Sequence, residues 1–222
     1  MINRMRKEIV LGFYTCEEAE QSYLDKLSGC DAVLFSVKNL SQVKIKNELN
    51  GSSDCLLKMG LISKKIKGAC FFSVYTDTFG IYRSSIACFT QGKLLALADM
   101  NGSYLKEFSP SFGLKSVKSC GVKYGVLVGS DILDTAALHA LSVTENDMII
   151  NLSAAILSFD NEKLVSTLAY LYGTPIAFCG NALKIVCTSL GEVSYSGKDN
   201  FTIQKLPIKK RYREIKTKVL RS

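Results

Sequence analysis

A glycine, a serine and an aspartate in succession, Gly129-Ser130-Asp131, sit where an apolar run ends and a helical pattern begins. The run is Lys123-Tyr-Gly-Val-Leu-Val128, and Ile132-Leu-Asp-Thr-Ala-Ala-Leu-His139-Ala-Leu follows it. A strand that turns sharply into a helix is where α/β enzymes often seat a nucleophile, because the turn lifts one side chain clear of the sheet. Gly129 has no side chain to react. Ser130 is the displaced nucleophile such a turn offers, with Asp131 as the adjacent carboxylate. A serine needs a base to take its proton, and the chain's single histidine, His139, falls two turns into the following helix. Capping of that helix accounts for Ser130 and Asp131 without chemistry, and packing accounts for His139 within Ala-Leu-His-Ala-Leu.

Other reactive side chains are scattered. Cys16, Cys30, Cys55, Cys70, Cys88, Cys120, Cys179 and Cys187 show no CxxC or other metal-ligand spacing, and one histidine does not make a Cys/His zinc site. No metal and no cofactor is expected. Several of these cysteines lie in apolar runs, such as Ala69-Cys-Phe-Phe72 and Ile176-Ala-Phe-Cys179, and read as reduced packing thiols. No run of about 18 apolar residues suggests a membrane span, and the basic start Met1-Ile-Asn-Arg-Met-Arg-Lys-Glu lacks the apolar stretch of a signal peptide, so a cytoplasmic protein is expected. The net charge of +8 is concentrated in Lys209-Lys-Arg-Tyr-Arg-Glu-Ile-Lys-Thr-Lys-Val-Leu-Arg221. That tail reads as a solvated terminal segment. Nucleic-acid binding through it is the alternative, without any accompanying motif.

The elements that must position these residues alternate. Glu8–Tyr14 reads as a strand, and Thr15 with Glu18 forms a capping-box signal for a helix carrying Ala19, Tyr23, Leu24 and Leu27 on one face. A buried strand over Asp31–Val37 and a helix over 54–67 follow, and then strands over 68–75, 83–89 and 93–97 joined by short turns. In the second half strand 123–128 leads to helix 132–142, and strand 147–152 to a helix near 160–172. Short strands at 175–179 and 185–187 close the series. This pattern predicts one α/β domain over residues 1–222 with a mixed sheet and a basic tail from 209.

Several segments occur in an order that resembles the nitrilase, or carbon–nitrogen hydrolase, superfamily. Tyr82-Arg-Ser-Ser-Ile-Ala-Cys-Phe-Thr-Gln-Gly92-Lys-Leu-Leu is similar to that family's Y-N-S-A hairpin, and Phe108-Ser-Pro110-Ser to its F-x-P-G segment. The nucleophile strand G-V-x-I-C-x-D is matched by Gly125 to Asp131, and Asn151-Leu-Ser153-Ala154 resembles the P-S-A strand end. Tyr172 to Asn181 has the spacing of E-N-x-x-y-v-v-x-x-N, and Ser189-Leu-Gly-Glu192-Val resembles d-p-x-G-e-v. The resemblance covers roughly residues 8 to 215 and implies a four-layer α-β-β-α sandwich. It also implies a homodimer paired through helices, with the tail crossing to the partner.

The same resemblance implies a Glu–Lys–Cys set for hydrolysis of non-peptide C–N bonds, and this chain departs from it at all three places. Val37 stands for the glutamate of F-P-E, Met100 for the lysine, with Asp99 before it and no lysine until Lys106, and Gly129 for the cysteine. Neither Cys120 nor Cys179 matches the nucleophile position. Valine and glycine supply no acid–base or covalent catalysis. The expectation is an inactive member acting in binding, regulation or as a scaffold, with a small-molecule ligand in a more apolar vestigial pocket. The alternative is an amidase-like hydrolase rebuilt around Ser130, Asp131 or Asp99.

Overall fold

The computed structural model describes residues 8–102, 108–111, 113–152, 162–180 and 183–208. The basic tail from 209, Lys106, Ser153, Ala154 and Asn181 lie outside the described residues. In chain order the first half comprises β1 (Glu8–Cys16), α1 (Gln21–Leu27), β2 (Ala32–Val37), β3 (Gln42–Lys44), α2 (Ile45–Leu49), α3 (Cys55–Ile66), β4 (Ala69–Thr78), β5 (Ile81–Thr90) and β6 (Lys93–Asp99). The second half comprises β7 (Lys115–Ser119), β8 (Val122–Val128), α4 (Thr135–Val143), β9 (Met148–Leu152), α5 (Glu162–Tyr172), β10 (Ile176–Cys179), β11 (Lys184–Cys187), β12 (Val193–Gly197) and β13 (Phe201–Pro207). Short 3-10 turns follow β2 (Lys38–Leu40) and β8 (Gly129–Leu133).

The strands form two mixed sheets rather than one. The first runs β13-β1-β2-β4-β5-β6, with β3 beside β4, and the second runs β12-β11-β10-β9-β8-β7. Because side chains alternate across a strand, each sheet has two apolar faces to bury. Ile9, Leu11, Phe13, Leu34, Phe71 and Ile86 of the first sheet meet Tyr124, Val126, Val128, Ile150 and Ala177 of the second in a shared inner core. Phe71 packs edge-on to Tyr124 across this layer, 5.4 Å between ring centres. On the outer face of the first sheet, Val33, Phe35 and Phe72 pack against Leu24 and Leu27 of α1 and Met59, Ile62 and Ile66 of α3. On the outer face of the second, Leu127, Ile149 and Ile176 pack against Leu138 and Leu141 of α4 and Val165 and Leu168 of α5. The result is a four-layer α-β-β-α sandwich.

The two halves reuse one device. Asp31, just before β2, accepts the backbone N–H of Val10 at 2.9 Å, and Asp147, just before β9, accepts that of Lys123 at 2.9 Å. Each aspartate ties the start of a central strand to its parallel neighbour. After β12 the chain returns to the first sheet, where β13 pairs antiparallel with β1, from Glu8 opposite Pro207 to Tyr14 opposite Phe201.

The capping box expected at Thr15 and Glu18 does not form. β1 continues through Cys16 because Thr15 and Cys16 pair with Ser36 and Val37 of β2, and α1 begins only at Gln21 with no side-chain cap bond at Glu20. Strand pairing over two more residues outweighs the local helix-start signal. The helix after β8 also starts later than its pattern implies, because the 3-10 turn takes up Gly129–Leu133 and Asp134 caps α4 through the N–H groups of Ala136 and Ala137. Neither Ser130 nor Asp131 is therefore the helix cap.

Candidate functional site

The turn after β8 is built around Gly129, whose φ of +54° lies in the left-handed region. An L side chain there costs about 1–2 kcal/mol, so glycine suits the bend and leaves it without a reactive group. Asn151, fully buried on β9, fixes the turn by donating from Nδ2 to the carbonyls of Leu127 (3.2 Å) and Gly129 (3.0 Å). The Ser130 hydroxyl is buried and directed onto the Sδ of Met100 at 3.6 Å. A thioether accepts only weakly and cannot take a proton from an alcohol at neutral pH. His139 is exposed on α4 and gives Ser130 no base.

Asp131 has a different task from those expected of it. It is 2% exposed, and its carboxylate accepts the backbone N–H groups of Asn101 (Oδ2, 2.9 Å) and Gly102 (Oδ1, 3.0 Å). It thereby clamps the chain leaving β6 to the turn after β8. Burial raises its pKa above the usual carboxylate value, against the lowering effect of those N–H groups. Each carboxylate oxygen is thus engaged with one backbone N–H. Asp99 is likewise engaged, 2.7 Å from the hydroxyl of Ser85 and 3.5 Å from the Arg83 guanidinium, in a polar patch that includes Thr76. Met100 and Ser130 are thus brought together.

Val37 is buried at the end of β2 among side chains of the helix-covered face, and it lines a cavity of about 710 Å³. The cavity opens over the C-terminal ends of β1, β2 and β4. Its described lining includes Thr15, Cys16, Glu17, Glu18, Glu20, Ser36, Lys38, Ser73, Tyr75 and Asn200, but none of Met100, Gly129, Ser130 or Asp131. Tyr75 is stacked on Phe108, ring centres 5.2 Å apart and planes at 8°. Hydroxyl-bearing residues recur along its wall. Register explains it: Thr15 pairs with Ser36, and Phe35 with Phe72, so Thr15, Ser36 and Ser73 stand side by side on β1, β2 and β4. No local motif announces this row.

The rim is anchored as well as polar. Burial pushes the phenol of Tyr14 up to about 12, so it remains a protonated donor; it donates to the Glu18 carbonyl at 2.9 Å and accepts the N–H of Glu20 at 3.2 Å. The Asn39 side-chain amide donates to the Glu18 carboxylate at 3.1 Å, and Lys38 pairs with Glu17. Among the described residues no three His, Cys, Asp or Glu side chains group as a metal site.

Burial mutes five of the eight thiols. Burial pushes Cys30 to about 11, Cys187 to about 12 and Cys179 to about 11, the last against the lowering effect of the nearby Lys184 charge. It raises Cys70 and Cys88 as well. Cys120 is exposed in the β7–β8 turn, and Cys16 and Cys55 are half-buried. A disulfide exchange reagent at pH 7.5 is therefore expected to modify at most these three thiols in the native protein, and all eight after unfolding. Rapid native labelling of Cys179 or Cys187 by peptide mapping would contradict the burial described.

No family model and no curated protein matches the sequence. Among solved structures the chain is similar to an amidase of the nitrilase superfamily from Nesterenkonia, at 14% identity over 97% of this chain and 96% of that one, with a TM-score of 0.69. It is similar to a carbon–nitrogen hydrolase from Helicobacter pylori at 12% identity, 96% and 93% coverage and a TM-score of 0.70. Nit3 of Saccharomyces cerevisiae, a member of branch 10 of the nitrilase superfamily, matches at 12% identity, 96% and 94% coverage and a TM-score of 0.73. At these identities the likeness is one of fold. The fold of this chain, two facing mixed sheets between two helical layers, is that of the nitrilase superfamily.

Proposed function

We propose that this nitrilase-fold chain does not hydrolyse C–N bonds and acts by binding, as a regulatory or scaffold protein, with its ligand in the cavity beside Val37. The observation that carries this reading is the turn after β8. Gly129 presents no nucleophile there, and the neighbouring Ser130 hydroxyl is buried against Met100 Sδ. The positions the resemblance assigns to glutamate, lysine and cysteine hold Val37, Met100 and Gly129, and the remaining candidates Ser130, Asp131 and Asp99 are held in structural contacts. The reading includes a homodimer, supported by exposed Tyr170 and Leu171 on α5, and a cytoplasmic setting, supported by eight free thiols.

Covalent trapping tests the chemistry. After incubation with short aliphatic amides and nitriles and an acid quench, the intact mass is expected to be unchanged. An acyl or imidate adduct mapped to Ser130 would overturn the reading.

A further inference from the structure

The cavity beside Val37 carries features that select a ligand class. Thr15, Ser36 and Ser73 present three hydroxyls in one register row along its wall. Ser73 is 4% exposed, and neither its hydroxyl nor that of Ser36 has a hydrogen-bond partner among the described residues. Thr15 is half-buried, and its hydroxyl lies beside the Cys179 thiol, whose pKa it acts to lower against burial. A hydroxyl that faces a cavity can both donate to and accept from a bound polar group. With strands about 4.8 Å apart, the row offers donors and acceptors over a span of about 10 Å.

The rim adds charge of one sign. Among the described lining residues, Glu17, Glu18 and Glu20 stand with one cation, Lys38, in a chain whose net charge is +8. Lys38 is taken by Glu17, and the Glu20 carboxylate accepts no hydrogen bond among the described residues. Tyr14 holds this rim in place through Glu18 and Glu20. The rim therefore attracts a cation, and the floor hydrogen-bonds a polar body.

Resting on the binding role proposed above, we infer that the cavity takes a small protonated amine bearing hydroxyl or carbonyl groups. Its ammonium meets Glu18 and Glu20, and its oxygens lie along Thr15, Ser36 and Ser73. A charge-assisted hydrogen bond to a carboxylate is the stronger of the two contacts. The neutral or anionic analogue of the same skeleton is rejected for want of it.

Cys16 lines the cavity and is half-buried, so its alkylation reports occupancy. The probes are glucosamine, 4-amino-1-butanol and glycinamide, each against its uncharged or anionic counterpart (glucose and gluconate, 1,4-butanediol, glycolamide). Saturable protection of Cys16 by an amine and not by its counterpart is expected, with Cys120 labelling unchanged as the internal control. Glu20→Gln and Ser73→Val are each expected to raise the half-protecting concentration about tenfold. Absence of protection by every amine, or equal protection by the uncharged counterparts, overturns the inference, and the wild-type experiment decides it even if a variant folds poorly. Ammonia release would instead count against the inactive reading and leave the ligand class standing.

Discussion

Lys184→Met raises the stability of this protein. Lys184 opens β11, is 0% exposed, and pairs in register with Cys179, whose side chain belongs to the core between the sheets. Its Nζ is buried without a hydrogen-bond partner among the described residues. Removing an ammonium from water costs several kcal/mol even after relaxation, and no described residue offsets it with a hydrogen bond. Methionine has nearly the same length and flexibility, fills the same space and leaves no polar atom behind. The expected gain is about 1–4 kcal/mol, read as a rise in the thermal midpoint of roughly 2–4 °C for each kcal/mol in a chain of this size. A lower midpoint for Lys184→Met would mean that the amine has a native partner and that the core is built differently here.

Asp131→Ala has a large effect in the opposite direction. It leaves the backbone N–H groups of Asn101 and Gly102 unpaired beside a buried turn, at a cost of about 3 kcal/mol. The pH dependence carries a signature. Because burial raises the folded pKa of Asp131 above its unfolded value, the folded state binds the proton more tightly. The stability linked to that proton is fully present below the unfolded carboxylate pKa and is lost as pH rises through the raised folded value. The advantage of wild type over Asp131→Ala in urea titrations therefore shrinks with rising pH across that window. An advantage that grows with pH would mean a depressed pKa and a carboxylate dominated by its N–H contacts or by an unseen cation.

Both effects turn on roles that the sequence alone does not mark. The apolar strands of β2, β4, β8 and β9 are legible because a strand buried on both faces reads as an uninterrupted hydrophobic run. β12 and β13 are not, since their side chains are largely exposed or half-buried and the runs carry no such signal. The turn at Gly129 is legible from strand-then-helix patterning, but the work of Asp131 is not, because its partners are about thirty residues away. Lys184 next to Ile185-Val-Cys187 reads as a polar strand end. Only the strand pairing shows that it faces the inner core. The hydroxyl row is hidden for the same reason: Thr15, Ser36 and Ser73 become neighbours through register between β1, β2 and β4, which no local spacing encodes.

The Thr15–Glu18 signal fails in an instructive way. Its residue types are those of a capping box, yet the same stretch supplies two further pairs to a parallel strand and then a rim over a cavity. Local preference of about 1 kcal/mol yields to sheet pairing. What looks like a helix start becomes the wall of the candidate binding site.

The most direct test of the central claim is ammonia release by the purified protein from a panel of amides, ureas and nitriles, run beside Ser130→Ala. With Gly129 at the turn and Ser130 directed onto Met100, release is expected to stay at the buffer level for both proteins across the panel. Release by wild type that Ser130→Ala abolishes would contradict the account and place a working nucleophile one residue beyond the empty position.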